Sequence, residues 1–316
     1  MSADSNLLHG IFPALFTPLL DDDPKRLKNS IDYEKARLMI DDLIARGVQG
    51  IVPVGTTGQS ATVSTAQHLD FVKFVLEYVD GRLHVIAGAG SNCTRESVEM
   101  IQEIQKIAQV PVLCATGYYN NPEEVGLKRH FETLAQETGA KIVLYNVPGR
   151  TNSYMTPELI TELADNPGII GLKQAVNFKI GGEFREDTQA IIKNTKDMDF
   201  AVLSGEDDSL TAILELGGKG MISATANVPE AAEMYVKAYN EFRAGNKEAA
   251  ESMQIAVLDF VEACFSRKNP IPLGALFNSP MFLPLVSVKE TEGGEKLHQE
   301  LMDLVESRLE SLKKYH

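Results

Sequence analysis

Tryptophan is absent from this 316-residue chain, and aromatic residues make up only 7% of it. Cysteine is almost absent as well: there are three, Cys93, Cys114 and Cys264. An odd, sparse set argues against a disulfide framework, and the spacing matches no zinc pattern. Cys114 lies in the apolar run Val112–Ala115 and reads as a small core residue. Basic charge is in short supply, with 30 Lys and Arg against 44 Asp and Glu and a formal net charge of -14. Such a surface repels nucleic acid and anionic lipid, so no nucleic-acid partner is expected. Long hydrophobic runs are missing too. The apolar stretch Ile11–Leu20 is broken by Pro13 and Pro18 and is too short to span a membrane. Met1–Asn6 has no basic stretch and no cleavage-site pattern. The reading is a soluble, cytoplasmic protein that does not engage a membrane.

What is present is apolar mass, 44% of the chain, and a regular alternation. Short β-branched runs precede longer segments of helical period. The expected pairs are Gly10–Phe16 with Asp32–Arg46, Gly50–Val54 with Ser64–Val79, His84–Ala87 with Thr94–Ala108, and Val112–Ala115 with Glu123–Thr138. The rhythm continues with Lys141–Tyr145 and Pro157–Ala164, Ile169–Lys173 and Asp187–Asn194, Phe200–Ser204 and Ser209–Leu216, and Gly220–Ser223 and Pro229–Ala244. Ser64 reads as an N-cap, with Phe71, Val75 and Tyr78 on one helix face. Val98, Ile101, Ile104 and Ala108 mark the buried stripe of the next helix. Eight such units predict an α/β fold, a (β/α)8 barrel over residues 1–244. Residues 245–316 read as a C-terminal helical region packed on it, with a Pro-rich interruption over Asn269–Pro284.

In such barrels the active site lies at the C-terminal ends of the strands. Those ends carry Gly55-Thr56-Thr57-Gly58, Gly88-Ala89-Gly90-Ser91-Asn92, Gly117-Tyr118-Tyr119-Asn120 and Tyr145-Asn146-Val147-Pro148-Gly149-Arg150. They also carry Lys173, Ser204-Gly205-Glu206-Asp207-Asp208 and Ser223-Ala224-Thr225-Ala226-Asn227. No His and carboxylate cluster suits a catalytic metal. Gly55–Ser60 lacks the lysine of a phosphate loop, and Gly88-Ala89-Gly90 lacks the third glycine of a dinucleotide site. Neither a metal nor an organic cofactor is expected.

Lys173 is the most informative position. It ends the apolar strand Ile169-Ile170-Gly171-Leu172, so it points either into the barrel mouth or, as a snorkelling strand-end lysine, to solvent. An amine nucleophile must be neutral. An ordinary lysine, with a pKa near 10.4, is neutral in only about 4 of 10,000 molecules at pH 7. Apolar burial disfavours the charged form. A neutral amine there attacks a ketone to form an imine, whose protonated form stabilises loss of a neighbouring C–H proton. Tyr145 ends the adjacent strand and reads either as a core tyrosine or as a proton carrier, exchanging with hydroxyls such as those of Thr57 and Tyr119. Thr56 and Thr57 read as turn residues or as part of a carboxylate-binding turn. Arg150 follows a rigid Pro-Gly turn and reads as a surface arginine or as a guanidinium aimed at a carboxylate. Glu206, Asp207 and Asp208 read as caps of the following helix.

Taken together and in order, Gly55–Gly58, Tyr118–Asn120, Tyr145–Thr151, Gly171–Lys173 and Ser204–Asp208 resemble the 4-hydroxy-tetrahydrodipicolinate synthase family of the pyruvate-dependent class I aldolases. The resemblance runs from about Gly10 to the C-terminal helices. It implies a lyase of lysine (diaminopimelate) biosynthesis that joins pyruvate, held as an imine on Lys173, to L-aspartate 4-semialdehyde. It further implies a proton relay of Thr57, Tyr119 and Tyr145, with Tyr119 reaching into a neighbouring subunit. Thr56 and Thr57 would hold the pyruvate carboxylate, Arg150 that of the semialdehyde, and Gly205 and Ile222 would shape the pocket. A homotetramer, built as a dimer of dimers, is implied. So is a lysine feedback site matching Ser60, Ala61, His68, Asn92, Glu96 and Tyr118; by their own pattern His68 and Glu96 read as solvated helix residues.

The chain departs from the family pattern at Gln59 and Gln174, where Glu is usual, at Thr65, and in a longer segment from Asn177 to Asp187. Two other readings stand beside this one. One is a 2-keto-3-deoxy sugar acid aldolase or dehydratase, or an N-acetylneuraminate lyase-like enzyme, against which Arg150 and the tyrosine pair argue. The other is a non-catalytic barrel that binds pyruvate or lysine, against which the joint presence of Lys173, Tyr145, Tyr119 and Thr57 argues.

Overall fold

The computed structural model describes residues 7–115, 117–179, 181–281 and the single positions 299, 302, 303, 307 and 310. In chain order the elements begin β1 (Gly10–Pro13), α1 (Tyr33–Ala45), β2 (Gly50–Ile51), α2 (Thr65–Val79), β3 (His84–Val85), β4 (Ala87–Gly88) and α3 (Thr94–Ile107). There follow β5 (Val112–Ala115), α4 (Glu124–Thr138), β6 (Ile142–Asn146), α5 (Pro148–Thr151), α6 (Pro157–Ala164), β7 (Ile169–Gln174) and α7 (Arg185–Thr195). The last are β8 (Ala201–Ser204), α8 (Leu210–Leu216), β9 (Gly220–Ser223), α9 (Pro229–Arg243), α10 (Lys247–Phe265) and α11 (Ile271–Leu276). Among the described residues no helix is long and apolar enough to cross a membrane.

Two compact units emerge. The first comprises Met1–Phe12 and His84–Ser223, the second Pro13–Leu83 and Ala224–His316. A seven-stranded sheet organises the first, in the order β1-β9-β8-β7-β6-β5-β4. The pairs from β4 through β9 are parallel. Its central strands Ile142–Asn146 and Ile169–Gln174 are buried at every position. This is why their sequences are continuous apolar runs rather than alternating ones: a parallel sheet covered on both faces has no solvent side.

In the second unit, β1 stops at Pro13, earlier than the apolar run predicts. Beyond it the chain pairs differently: the Val52 amide donates to Pro13 O and the Leu15 amide to Val52 O. The start of α2 follows its local signal, since Ser64 Oγ accepts from the Gln67 amide while the Gln67 side chain bonds back to the Ser64 amide. Asp32 caps α1 in the same manner, accepting from the Lys35 amide. The apolar face of α2 is His68, Phe71, Val72, Val75 and Val79. Tyr78 is not part of it. Its ring stacks on Phe74 and its hydroxyl donates to Asp41, which a half-exposed site permits and a core site does not. In α3 the buried stripe is Ser97, Ile101 and Ile104, with Val98 only half-buried and Ala108 at the C-cap. The Pro-rich stretch from Asn269 contains the short helix α11, whose Pro272 sits in the first turn, where a missing N–H costs nothing. The expected tail beyond it lies outside the described residues, apart from the five single positions, which are helical.

Candidate active site

Strands β6 and β7 run parallel in a register that sets Tyr145 opposite Lys173 and Asn146 opposite Gln174. Successive strand side chains point to opposite faces, so Tyr145 and Lys173 share one face while Asn146 and Gln174 share the other. Lys173 is 7% exposed, and its Nζ lies 4.5 Å from the centre of the Tyr145 ring. Among the described residues it forms no ion pair. Lys173 is thus held at a buried strand end against an aromatic ring rather than in a structural salt bridge.

The loop after β8 makes room for that amine. Gly205 donates its amide to Gln174 O at 2.7 Å. A Cβ on Gly205 would lie 2.7 Å from Ala175 Cβ and 3.0 Å from Lys173 Cε, so any larger residue pushes on the lysine stem. Ser209, at the start of α8, makes no capping bond of its own, and Asp208 pairs with Lys179 and accepts from Ser209 Oγ. Burial raises the Glu206 carboxyl above its ordinary pKa, with Asp207 and Asp208 acting the same way and Lys173 and Lys179 opposing. Glu206 therefore feels the Lys173 charge, which its place in an acidic triplet did not reveal. Ile222 in β9 is fully buried.

Around these strand ends the first unit carries a series of linked loops. Asn120 Nδ2 donates to Asn92 O at 2.6 Å, and Ser153 Oγ to Asn121 Oδ1 at 3.3 Å. Tyr154 donates to Asp187 at 2.6 Å and packs on Phe184. Burial, then Asp187, raises the Tyr154 phenol above its ordinary value. The segment after Lys173 is thus tied down by Tyr154 at one end and by Lys179 at the other. Arg150 closes the single-turn helix α5 and is exposed. Tyr118 is exposed, and Tyr119 is 94% exposed with a φ of 68°, a left-handed backbone that a non-glycine residue adopts only under constraint. Glu96 is exposed and accepts from Ser91 Oγ; Asn92 is half-buried. Cys114 is fully buried, and that burial pushes its thiol up to about 12.

The second unit carries the Gly55–Gly58 turn. Thr57 is 2% exposed, and its Oγ1 accepts from Asn269 Nδ2 at 3.0 Å. With a lone pair so occupied, the Thr57 proton is left to donate. Asn269 was not singled out from the sequence, and no local signal joins positions 212 residues apart. Thr56 is half-buried. Gly58 is obligatory, because a Cβ there would stand 2.9 Å from Leu15 O and Val54 N. Gln59 is 1% exposed and donates to Thr17 O at 3.1 Å. Ser60 is half-buried and Ala61 exposed. His68 is buried, not solvated as its helical pattern implies. Among the described residues no group of three His, Cys, Asp or Glu could hold a metal.

The sequence profile of the dihydrodipicolinate synthetase family matches residues 7–299. The chain belongs to this family. It is 38% identical over 304 residues to the 4-hydroxy-tetrahydrodipicolinate synthase of Methanopyrus kandleri, covering 94% of this chain and 96% of that protein. It is 37% identical over 305 residues to the enzyme of the same name from Archaeoglobus fulgidus, covering 94% and 99%. Among solved structures, dihydrodipicolinate synthase from Cyanidioschyzon merolae with lysine bound aligns with a TM-score of 0.83 at 31% identity, covering 95% of this chain and 99% of that one. The Acinetobacter baumannii enzyme complexed with pyruvate aligns with a TM-score of 0.83 at 28% identity, covering 94% and 99%. The fold class is the (β/α)8 barrel of these family members, as the eight strand–helix units predicted.

Proposed function

We propose that the chain condenses pyruvate with L-aspartate 4-semialdehyde to give 4-hydroxy-tetrahydrodipicolinate, by a class I aldolase route in lysine (diaminopimelate) biosynthesis. The observation that carries the reading is the buried Lys173 amine, 4.5 Å from the Tyr145 ring centre and free of any ion pair among the described residues. Lys173 Nζ attacks the pyruvate ketone and expels its oxygen as water, leaving a protonated imine. Loss of a methyl proton gives an enamine, whose carbon attacks the aldehyde. The semialdehyde's amine then closes on the imine carbon and releases Lys173. Tyr145, Thr57 and Tyr119 carry the protons, and Thr57, whose oxygen accepts from Asn269, keeps its own proton to donate. Thr56 and Thr57 bind the pyruvate carboxylate, Arg150 that of the semialdehyde, and Gly205 and Ile222 bound the pocket. The pyruvate held by the A. baumannii relative supports the ketone assignment.

The test is the initial rate with both substrates, coupled to the reductase that consumes the product. A rate that vanishes in Lys173→Ala supports the reading. No rate from protein that still traps pyruvate under borohydride moves the aldehyde partner to the sugar-acid class. Gly205→Ala is expected to slow pyruvate trapping on Lys173 by about 10²-fold, the scale of a misplacement near 1 Å. Mass spectrometry of borohydride-quenched time points measures it, and an unchanged rate removes Gly205 from the pocket.

The same reading makes the protein a cytoplasmic homotetramer, a dimer of dimers, with the barrel running through residue 244 and the helical region beyond. The exposed, backbone-strained Tyr119 is a residue shaped for use by a second copy. Light scattering at working concentration tests this, and a monomer as the only species contradicts it. Lysine feedback through Ser60, Ala61, His68, Asn92, Glu96 and Tyr118 draws support from the lysine-bound C. merolae relative. Millimolar lysine is expected to lower the rate near KM; an unchanged rate there and at saturation rules the site out.

A further inference from the structure

Behind Lys173 and Tyr145, on the opposite face of the same two strands, lies a buried chain of hydrogen bonds with one polarity. Asn146 and Gln174 are both fully buried. Asn146 grips the segment before α6 with both ends of its amide, Oδ1 accepting from the Met155 amide at 3.1 Å and Nδ2 donating to Met155 O at 3.2 Å. The same Nδ2 donates to Gln174 Oε1 at 3.0 Å. Gln174 Nε2 then donates to Thr188 Oγ1 at 3.3 Å, and Thr188 spends its own proton on Phe184 O at 2.8 Å. Every link has a defined direction, and Gln174 must accept at one end and donate at the other. A neutral amide does both at any working pH, which an ionised carboxylate does not. An ionised carboxylate in its place would face Thr188 Oγ1, which has no proton left to give, and would bury a charge with no cation against it.

Resting on the reaction proposed above, we infer that Gln174 is a positioning residue for that reaction. Its uncharged amide locks the ends of β6 and β7 in register, and with them the spacing of Tyr145 and Lys173. The Gln174 carbonyl extends the lock to β8 by accepting the Gly205 amide at 2.7 Å. The charged or titratable groups on the elements around it are Lys173 on its own strand, Tyr145 on β6, Tyr154 before α6, Glu158 and Glu162 in α6, Arg185, Glu186, Asp187 and Lys193 in α7, and Glu206 after β8. None of them is a hydrogen-bond partner of the Gln174 side chain, whose partners are Asn146 and Thr188.

The experiment compares Gln174→Glu and Gln174→Met with wild type by borohydride trapping of pyruvate and by steady-state rate, from pH 6 to 9. In Gln174→Glu the carboxyl can restore the donor only while protonated. We expect near-wild-type trapping at the acid end and a fall of about 10²-fold as the group ionises, with kcat falling more than the pyruvate KM rises. Wild type shows no such loss toward high pH. Gln174→Met keeps the volume and removes both bonds; it is expected to trap slowly at every pH, without the acid recovery. A role in stability alone would lower Tm and leave the pH profile of the folded fraction unmoved, and that result overturns the inference. So does wild-type trapping in Gln174→Met, which also decides the matter should Gln174→Glu not fold. Failure of wild type itself to trap pyruvate is a failure of the proposed reaction, not of the lock.

Discussion

Lys173→Ala is expected to abolish the borohydride-trapped pyruvate adduct and to lower the condensation rate by on the order of 10⁴- to 10⁶-fold, the scale seen when a covalent nucleophile is removed. On the proposed route the buried amine is the group whose covalent bond to the substrate divides the reaction into accessible steps, and it lies in a buried strand beside a tyrosine ring. Lys173→Arg is expected to be equally inactive. A guanidinium stays charged at any working pH and presents a planar fork instead of a single nucleophilic nitrogen. Stability should move the other way. A lysine 7% exposed without an ion-pair partner is costly to bury, so Lys173→Ala is expected to melt no lower than wild type. Intact-protein mass spectrometry and a thermal melt check the two halves. An adduct persisting in Lys173→Ala places the imine on another amine. A melting point several degrees lower assigns Lys173 a structural role as well.

Tyr145→Phe is expected to reduce kcat by about 10²- to 10⁴-fold, the range of a positioned acid–base group. The substitution is informative because the phenyl ring remains. The ring face that Lys173 Nζ approaches at 4.5 Å is retained, and only the hydroxyl is lost. Folding should therefore be nearly unaffected. Pyruvate trapping should slow less than turnover, because turnover requires proton movement at the imine, the enamine and the new ring. A single-turnover trapping rate set beside kcat separates these steps. Equal, near-wild-type values for both would remove the Tyr145 hydroxyl from the chemistry, leaving its ring as a wall for the lysine.

Much of this site was legible because the signals that carry it are local. Lys173 and Tyr145 each close a short apolar run, so their places at the ends of neighbouring strands are read from position alone, while the face they share is set by the register of β6 and β7. The capping box at Ser64 and Gln67 and the cap at Asp32 lie within four residues of the bonds they form. Other assignments failed where a distant partner decides. Asp208 had the composition of a cap, yet it turns to Lys179, 29 residues back. His68 had the spacing of an exposed helix position and is buried. Tyr78 had the spacing of a core position and is held at the surface by Asp41.

The sequence by itself determined the class of fold, the order of the strand–helix units, and the placing of Tyr145 and Lys173 at the ends of neighbouring strands. Periodicity and short-range hydrogen bonding are properties of neighbours along the chain, and they survive without any knowledge of packing. Only the tertiary structure decided that Asn269 donates to Thr57, that a Cβ at Gly205 would press on the lysine stem, and that the Gln174 amide links Asn146 to Thr188. Each of these depends on which atom lies within about 3 Å of which other. That proximity is set by which residues far apart in sequence pack against one another within each compact unit, which no local pattern encodes.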